Sequence, residues 1–176
     1  YTKSTRGTVL VDKRQLWKGD SYKPLTVGQH STGARNNMGR ITSRHRGGAH
    51  KHKYRIIDFH RSKRNIKGLV ERIEYDPNRT SYIALIKYED NEMRYIICPQ
   101  KLEVGDTVES GKNVEIKVGN CLELIDIPQG SSIHNIELVP NSGGKMARSA
   151  GSSATLTGFD GNHAIIRLGS GETRKV

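Results

Sequence analysis

Between Asp20 and Asp58 the chain carries no acidic residue, and residues 35–55, RNNMGRITSRHRGGAHKHKYR, hold seven Arg or Lys and three His. Ile41 is the one residue of that stretch from the strongly apolar aliphatic set. Such a segment cannot bury itself in a core, because an unpaired charge taken out of water costs several kcal/mol. It has to stay at the surface, where it repels itself unless something outside the chain neutralises it.

The rest of the chain does not share this character. The formal charge is +11 over 176 residues, but residues 1–64 carry +13, residues 65–140 carry −5 and residues 141–176 carry +3. Solvated surfaces ordinarily mix both signs for solubility. An acid-free tract this long therefore points to a polyanionic partner, and phosphate is the obvious neutraliser.

With 34% hydrophobic residues the chain can build a modest core, as one large domain or two small ones. Cys98 and Cys121 have 22 residues between them and there is no CxxC. They read as reduced, small apolar residues rather than a disulfide scaffold or a cysteine zinc site. Apolar runs reach only four or five residues, too short for a membrane-spanning helix. The chain opens on Tyr rather than Met, which leaves open a removed targeting segment.

The hydrophobic pattern is that of strands. TVLVD at 8–12 reads as a short strand, followed by the turn-rich LWKGDSYKPL, with Trp17 and Leu25 tacking this arm onto a surface. Residues 26–53 show neither helical nor strand period and read as extended or looped. From Tyr54 the pattern changes: YRIIDF, GLVERIEYD, SYIALIKYE and EMRYIICP are strand-like, with DPNR at 76–79 as a turn and EDNE at 89–92 as a hairpin connection. EVGDTVES, NVEIKVGN, CLELIDIP, SSIHNIELV, SATLTGFD and NHAIIRLGS continue the style. No amphipathic helical spacing is sustained over a dozen residues. The reading is all-β, with short strands suited to two small barrels and a boundary near residues 99–106. The expected division is a basic arm at 1–53, a first barrel at 54–100 and a second at 101–176.

Three histidines, His45, His50 and His52, are the best metal candidates, but Arg44, Arg46, Lys51 and Lys53 around them disfavour a dication. Contact with RNA suits them better, since imidazole stacks on bases or donates to phosphate. GGAHKHK at 47–53 and SGGKMARSAG at 142–151 are Gly-rich and basic, yet neither has the GxxxxGK[ST] spacing. Each is a turn needing positive φ, a place where backbone N–H groups approach phosphate closely, or both. No GxSxG or HExxH frames a nucleophile or base, and Glu71, Glu74 and Asp76 read as a solvated strand face. Catalysis is not expected.

Five segments, RNNMGRITSRHRGGAHKHKYRIIDF, VERIEYDPNRTSYIALIKY, IPQGSSIHNIELVP, GGKMARSAGSSATL and RLGSGETRKV, run in one order over nearly the whole chain. Together they resemble the large-subunit ribosomal protein L2 family in its bacterial or organellar form. The resemblance implies an OB-type barrel followed by an SH3-like barrel, with a basic extended N-terminal arm. It further implies a non-catalytic constituent of the large ribosomal subunit that binds 23S-type rRNA and supports subunit association and the peptidyl-transferase region. Carried over by motif, RNA contact falls on Arg35, Asn36, Asn37, Arg40, Arg44, His45, Arg46, Gly47, Gly48, His50, Lys51, Lys53 and Arg55. A second set falls on Gly143, Gly144, Lys145, Arg148 and Ser149, with Arg174 and Lys175 closing the barrel region. Ala49 and His52 stand where the family often has Gly and a basic residue.

The implied partners are large-subunit rRNA and neighbouring ribosomal proteins, with no membrane and no cofactor beyond rRNA-associated Mg2+. Family members continue past RKV at 174–176 into a Gly- and His-rich basic tail, whereas this chain stops at Val176. A separate polypeptide supplying the tail, processing, and simple truncation of the chain are all compatible with this end. That favours a ribosome of the mitochondrial matrix, with a bacterial cytoplasm or plastid as alternatives. The rival reading is a free single-strand-binding barrel, for which Tyr54, Phe59, Tyr75, Tyr82, Tyr88 and Tyr95 would have to supply stacking platforms.

Overall fold

The computed structural model describes residues 2–30, 32–46 and 50–176. Apart from one helical turn at Lys3–Arg6 and two short 3-10 turns, the regular elements are strands. β1 (Thr26–Gly28) pairs with β2 (Lys53–Arg55) in a small antiparallel ladder. β3 (Gly68–Glu74), β4 (Ile83–Tyr88), β5 (Met93–Ile97) and β6 (Thr107–Val108) form an antiparallel sheet in the order β5-β4-β3-β6. β7 (Ser132–Ile133), β8 (Ala154–Asp160), β9 (His163–Leu168) and β10 (Thr173–Lys175) form the second, in the order β10-β9-β8-β7. These are the curled sheets of an OB-type barrel and a smaller SH3-like barrel.

β4, IALIKY, is the centre of the first core because its two faces are both covered. Ala84, Ile86 and Tyr88 pack with Val70, Ile96, Leu102 and Val108 on one side. Ile83 and Leu85 pack on the other with Ile57, Tyr95 and Ile97, and there Tyr22, Leu25 and Phe59 lean in from the segments flanking the basic tract. A strand buried on both faces reads as a continuous apolar run, which SYIALIKYE is. Each such Leu or Ile contributes roughly 1.5–3 kcal/mol by leaving water. Register shifts between Val70 and Arg72 bend β3. The second core gathers Ile136, Ala154, Leu156, Ala164 and Ile166.

Several stretches depart from the sequence reading. TVLVD is not a strand: Val9 is 96% exposed, Leu10 83% and Val11 72%, with no neighbouring strand to pair. Strand composition needs a ladder partner and a covering surface to become a strand. Residues 26–28, expected as part of an extended or looped segment, are β1. NVEIKVGN holds no strand, CLELIDIP holds a 3-10 turn at Leu124–Asp126, and its Leu124 and Ile127 pack on the second core from a loop. β6 lies beyond residue 100 yet bonds to Gly68 and Leu69, so the first sheet's hydrogen bonding runs on to Val108.

Candidate nucleic-acid interface

The β1–β2 ladder, extended where Ile56 N donates to Leu25 O at 2.9 Å, brings the two ends of the basic tract together. What reads as an open arm is thus closed at its base by this ladder. Within it, Asn36 organises a tight turn: its Oδ1 accepts from Met38 N at 3.0 Å and Arg40 N at 2.9 Å, and its own N–H donates to Arg40 O. Arg35 Nη1 donates to Gly39 O at 2.9 Å. Asn36 therefore shapes the turn, while Asn37, Arg40, Arg44, His45, Arg46, His50, Lys51 and Lys53 stand exposed. Gly47 and Gly48 lie outside the described residues.

Charge pairing divides these cations. Asp58, just past the tract, is taken by Arg94 at 2.8 Å. Arg55 turns inward, its Nη1 3.7 Å from the buried carboxylate of Asp76. That assigns Arg55 to the fold, away from the exposed group. Among the described residues, Arg35, Arg40, Arg44, Arg46, Lys51 and Lys53 have no carboxylate partner. The rings of His50 and His52 lie 5.9 Å apart. No group of three or more metal-capable side chains occurs among the described residues.

Asp76 does more than hold Arg55. Its Oδ1 accepts from Asn78 N at 3.0 Å and Asn78 Nδ2 at 2.9 Å, and its Oδ2 accepts from Arg79 Nε at 2.6 Å. Asn78 Nδ2 also donates to Lys53 O at 2.8 Å, so the DPNR turn clamps the foot of the basic loop. One residue further on, Thr80 Oγ1 accepts from Ala150 N at 3.1 Å. The two basic segments, far apart in sequence, thus meet on the turn at 76–80. Glu74 is also buried, accepting from Arg72 Nε at 2.7 Å and from the Tyr95 hydroxyl at 3.0 Å. Glu74 and Asp76 are not a solvated strand face: Glu74 is held inside by guanidinium and hydroxyl donors, Asp76 by guanidinium and amide donors. The Tyr95 hydroxyl is pushed up to about 12, chiefly by burial.

The second Gly-rich segment is docked on the first barrel. Gly144 N donates to Phe59 O at 3.0 Å, and the Arg148 guanidinium lies 4.5 Å from the Phe59 ring centre. Glu137 caps the turn, its carboxylate accepting from Asn141 N and Gly143 N at 2.9 Å each. Lys145 N donates to Ile136 O at 2.8 Å. The N–H groups of Gly143 and Gly144 are thus bonded within the protein. Gly143 is there for its φ of +76° and Gly144 because no Cβ fits. Lys145, Arg148 and Ser149 are exposed. Arg174 pairs with Glu172 at 2.9 Å and Lys175 with Asp160, so the last basic pair is locally neutralised.

Sequence reasoning missed Asp76, Glu137 and Phe59 as the groups that place these loops. DPNR was legible as a turn, but nothing local announces that Asp76 reaches Arg55 or that Glu137 reaches Gly143. Of the six aromatics, Tyr88 and Tyr95 are core, while Tyr54 and Tyr75 are exposed. Burial pushes the Cys98 thiol up to about 11, in keeping with an inert apolar role.

Two small β-sheet units, the first bearing a basic segment whose cations have no carboxylate partner among the described residues, define the class of protein. Residues 22–110 match the family model described as Ribosomal Proteins L2, RNA binding N-terminal domain, and residues 117–176 match Ribosomal Proteins L2, C-terminal domain. The chain belongs to the ribosomal protein L2 family. It is 56% identical over 177 residues to the large ribosomal subunit protein uL2 of Pelagibacter ubique, covering 100% of this chain and 63% of that one. Against the uL2 of Granulibacter bethesdensis it is 59% identical over 175 residues, covering 99% and 63%. The uL2 of Rickettsia felis gives 59% over 175 residues, covering 99% and 64%. The chain thus spans just under two thirds of the length of these curated relatives.

Proposed function

We propose that the chain is a structural, non-catalytic constituent of the large ribosomal subunit that binds 23S-type rRNA. The observation that carries this reading is the set of six cations, from Arg35 to Lys53, without a carboxylate partner among the described residues, on a segment whose foot is hydrogen-bonded to a barrel. Closely packed phosphates neutralise such a set, and each neutralised phosphate releases counterion. Lys145, Arg148 and Ser149 extend the same surface. His45 and His50 supply stacking or phosphate donors, and Mg2+ at the interface belongs to the RNA.

In this reading residues 1–53 are the RNA-facing arm and loop, and the two barrels that follow are rigid holders. Neighbouring ribosomal proteins meet the less basic faces. Support of subunit association and of the peptidyl-transferase region follows from the family resemblance. The remaining third of the family's length, continuous with this chain or supplied separately, completes the protein on the particle. The relatives named above are bacterial, which supports a ribosome of bacterial type.

The test replaces Arg44, Arg46, Lys51 and Lys53 by Gln and measures rRNA binding across salt. Each lost phosphate contact lowers the slope of log K against log salt by roughly 0.7–0.9, so the slope should fall by about 3. An unchanged slope refutes direct neutralisation by this loop. Sedimentation separates this reading from a free regulatory barrel, whose cellular pool would run outside ribosomal particles.

A further inference from the structure

Where the N-terminal segment crosses the first barrel, Leu10, Val11, Lys13, Tyr75, Thr80 and Tyr82 line an open cleft of about 390 Å3. Its composition is unusual for a surface left to water. Tyr75 is 45% exposed, and Leu10 and Val11 form an apolar wall that no protein residue covers among those described. The Lys13 ammonium lies 3.6 Å from the Tyr75 ring centre. It has no carboxylate partner among the described residues, and no acid lines the cleft.

Position gives the cleft its meaning. Tyr75 directly precedes Asp76, whose carboxylate pairs with Arg55 at the foot of the basic loop. Thr80, on the cleft wall, accepts from Ala150 N in the second basic segment. The cleft therefore opens beside the point where both cationic segments converge. An aromatic face, an apolar wall, a hydroxyl and a cation with no carboxylate partner among the described residues together suit a flat π-faced group that carries hydrogen-bonding edges and an adjoining negative charge. That description fits a nucleotide whose base is unpaired.

We propose that this cleft receives one unpaired nucleobase of the RNA held by the 35–55 loop; the proposal rests on the RNA-binding reading above. The base stacks on Tyr75 or Tyr82 against the Leu10–Val11 wall. Lys13, seated on the Tyr75 ring in the free protein, moves to the phosphate of that nucleotide and leaves the ring open for stacking. Thr80 lies within the same wall and offers its hydroxyl to a base edge.

The experiment uses the full chain and two probes: a single-stranded RNA oligonucleotide carrying 2-aminopurine, and a duplex RNA with the same number of phosphates. Binding of the single strand should quench 2-aminopurine fluorescence. Y75L and Y82L should weaken single-strand binding by about tenfold in combination and abolish the quenching, with the salt slope and duplex affinity unchanged. Y75F should retain quenching, which separates stacking from a general loss of fold. Unaltered quenching and affinity in Y75L/Y82L overturns the cleft as a base site and leaves it to a protein neighbour, while RNA binding stands. Failure of the unsubstituted protein to bind either RNA overturns the functional reading itself, and the base site with it.

Discussion

A Cβ at Gly144 would stand 2.1 Å from Asn135 Oδ1 and 2.6 Å from the Asn135 carbonyl oxygen. The backbone oxygen cannot swing away, so G144A should destabilise the protein by about 1–3 kcal/mol and loosen the 142–150 loop. Urea unfolding checks the first part; a stability within a few tenths of the parent would refute it. A different residue-scale prediction concerns His134, whose burial and, secondarily, the Arg61 guanidinium hold it below the ordinary histidine value near 6.5. As pH falls through that value the unfolded chain binds a proton that the folded histidine refuses. Stability is thus full above about pH 6.5 and declines toward the folded value. H134Q should show a smaller acid loss than the parent when urea midpoints are compared at about pH 7.5 and 5.5; equal losses would exclude His134 as a contributor. At this scale the sequence showed that SGGK needed a special backbone but left open what for. The clash partner Asn135 and the cap Glu137 lie only a few residues upstream, but no residue pattern announces that the chain turns back on them.

Among the elements, the DPNR turn matters most. Asp76 is a buried anion beneath a surface read as RNA-binding, and two arguments about it have opposite signs. On charge alone, D76N removes a negative group and should tighten RNA binding. On geometry, it weakens the hold on Arg55, Asn78 and Arg79 and lets the foot of the basic loop move. Breaking one side of a buried ion network costs roughly 3–5 kcal/mol, so the geometric effect should win. D76N should unfold at lower urea and, at temperatures where it remains folded, bind rRNA more weakly than the parent. Tighter binding would show that the turn does not position the loop. The strands from β3 to β5 were legible because their alternation or apolar runs were bounded by turn residues. TVLVD, with the same residue types, is exposed coil, since strand composition is a capacity that only a paired neighbour realises.

For the whole molecule, the balance between fold and charge sets the salt response. The middle of the chain neutralises its own cations through pairs such as Arg94–Asp58 and Arg79–Asp76. The loop does not, so the fall of about 3 in salt slope on the fourfold Gln substitution belongs to that loop rather than to net charge at large. Composition and order by themselves determined that the chain is all-β, that its first third carries more cations than its own acids can neutralise, and which family it resembles. Charge cannot be buried unpaired, and short apolar runs between turns leave few other folds. Tertiary structure alone decided which cations remain free. Arg55 and Arg40 look alike in sequence, but Asp76, 21 residues on from Arg55, is folded against one and not the other. Pairing depends on distance in space, and that distance exists only once the barrel has closed.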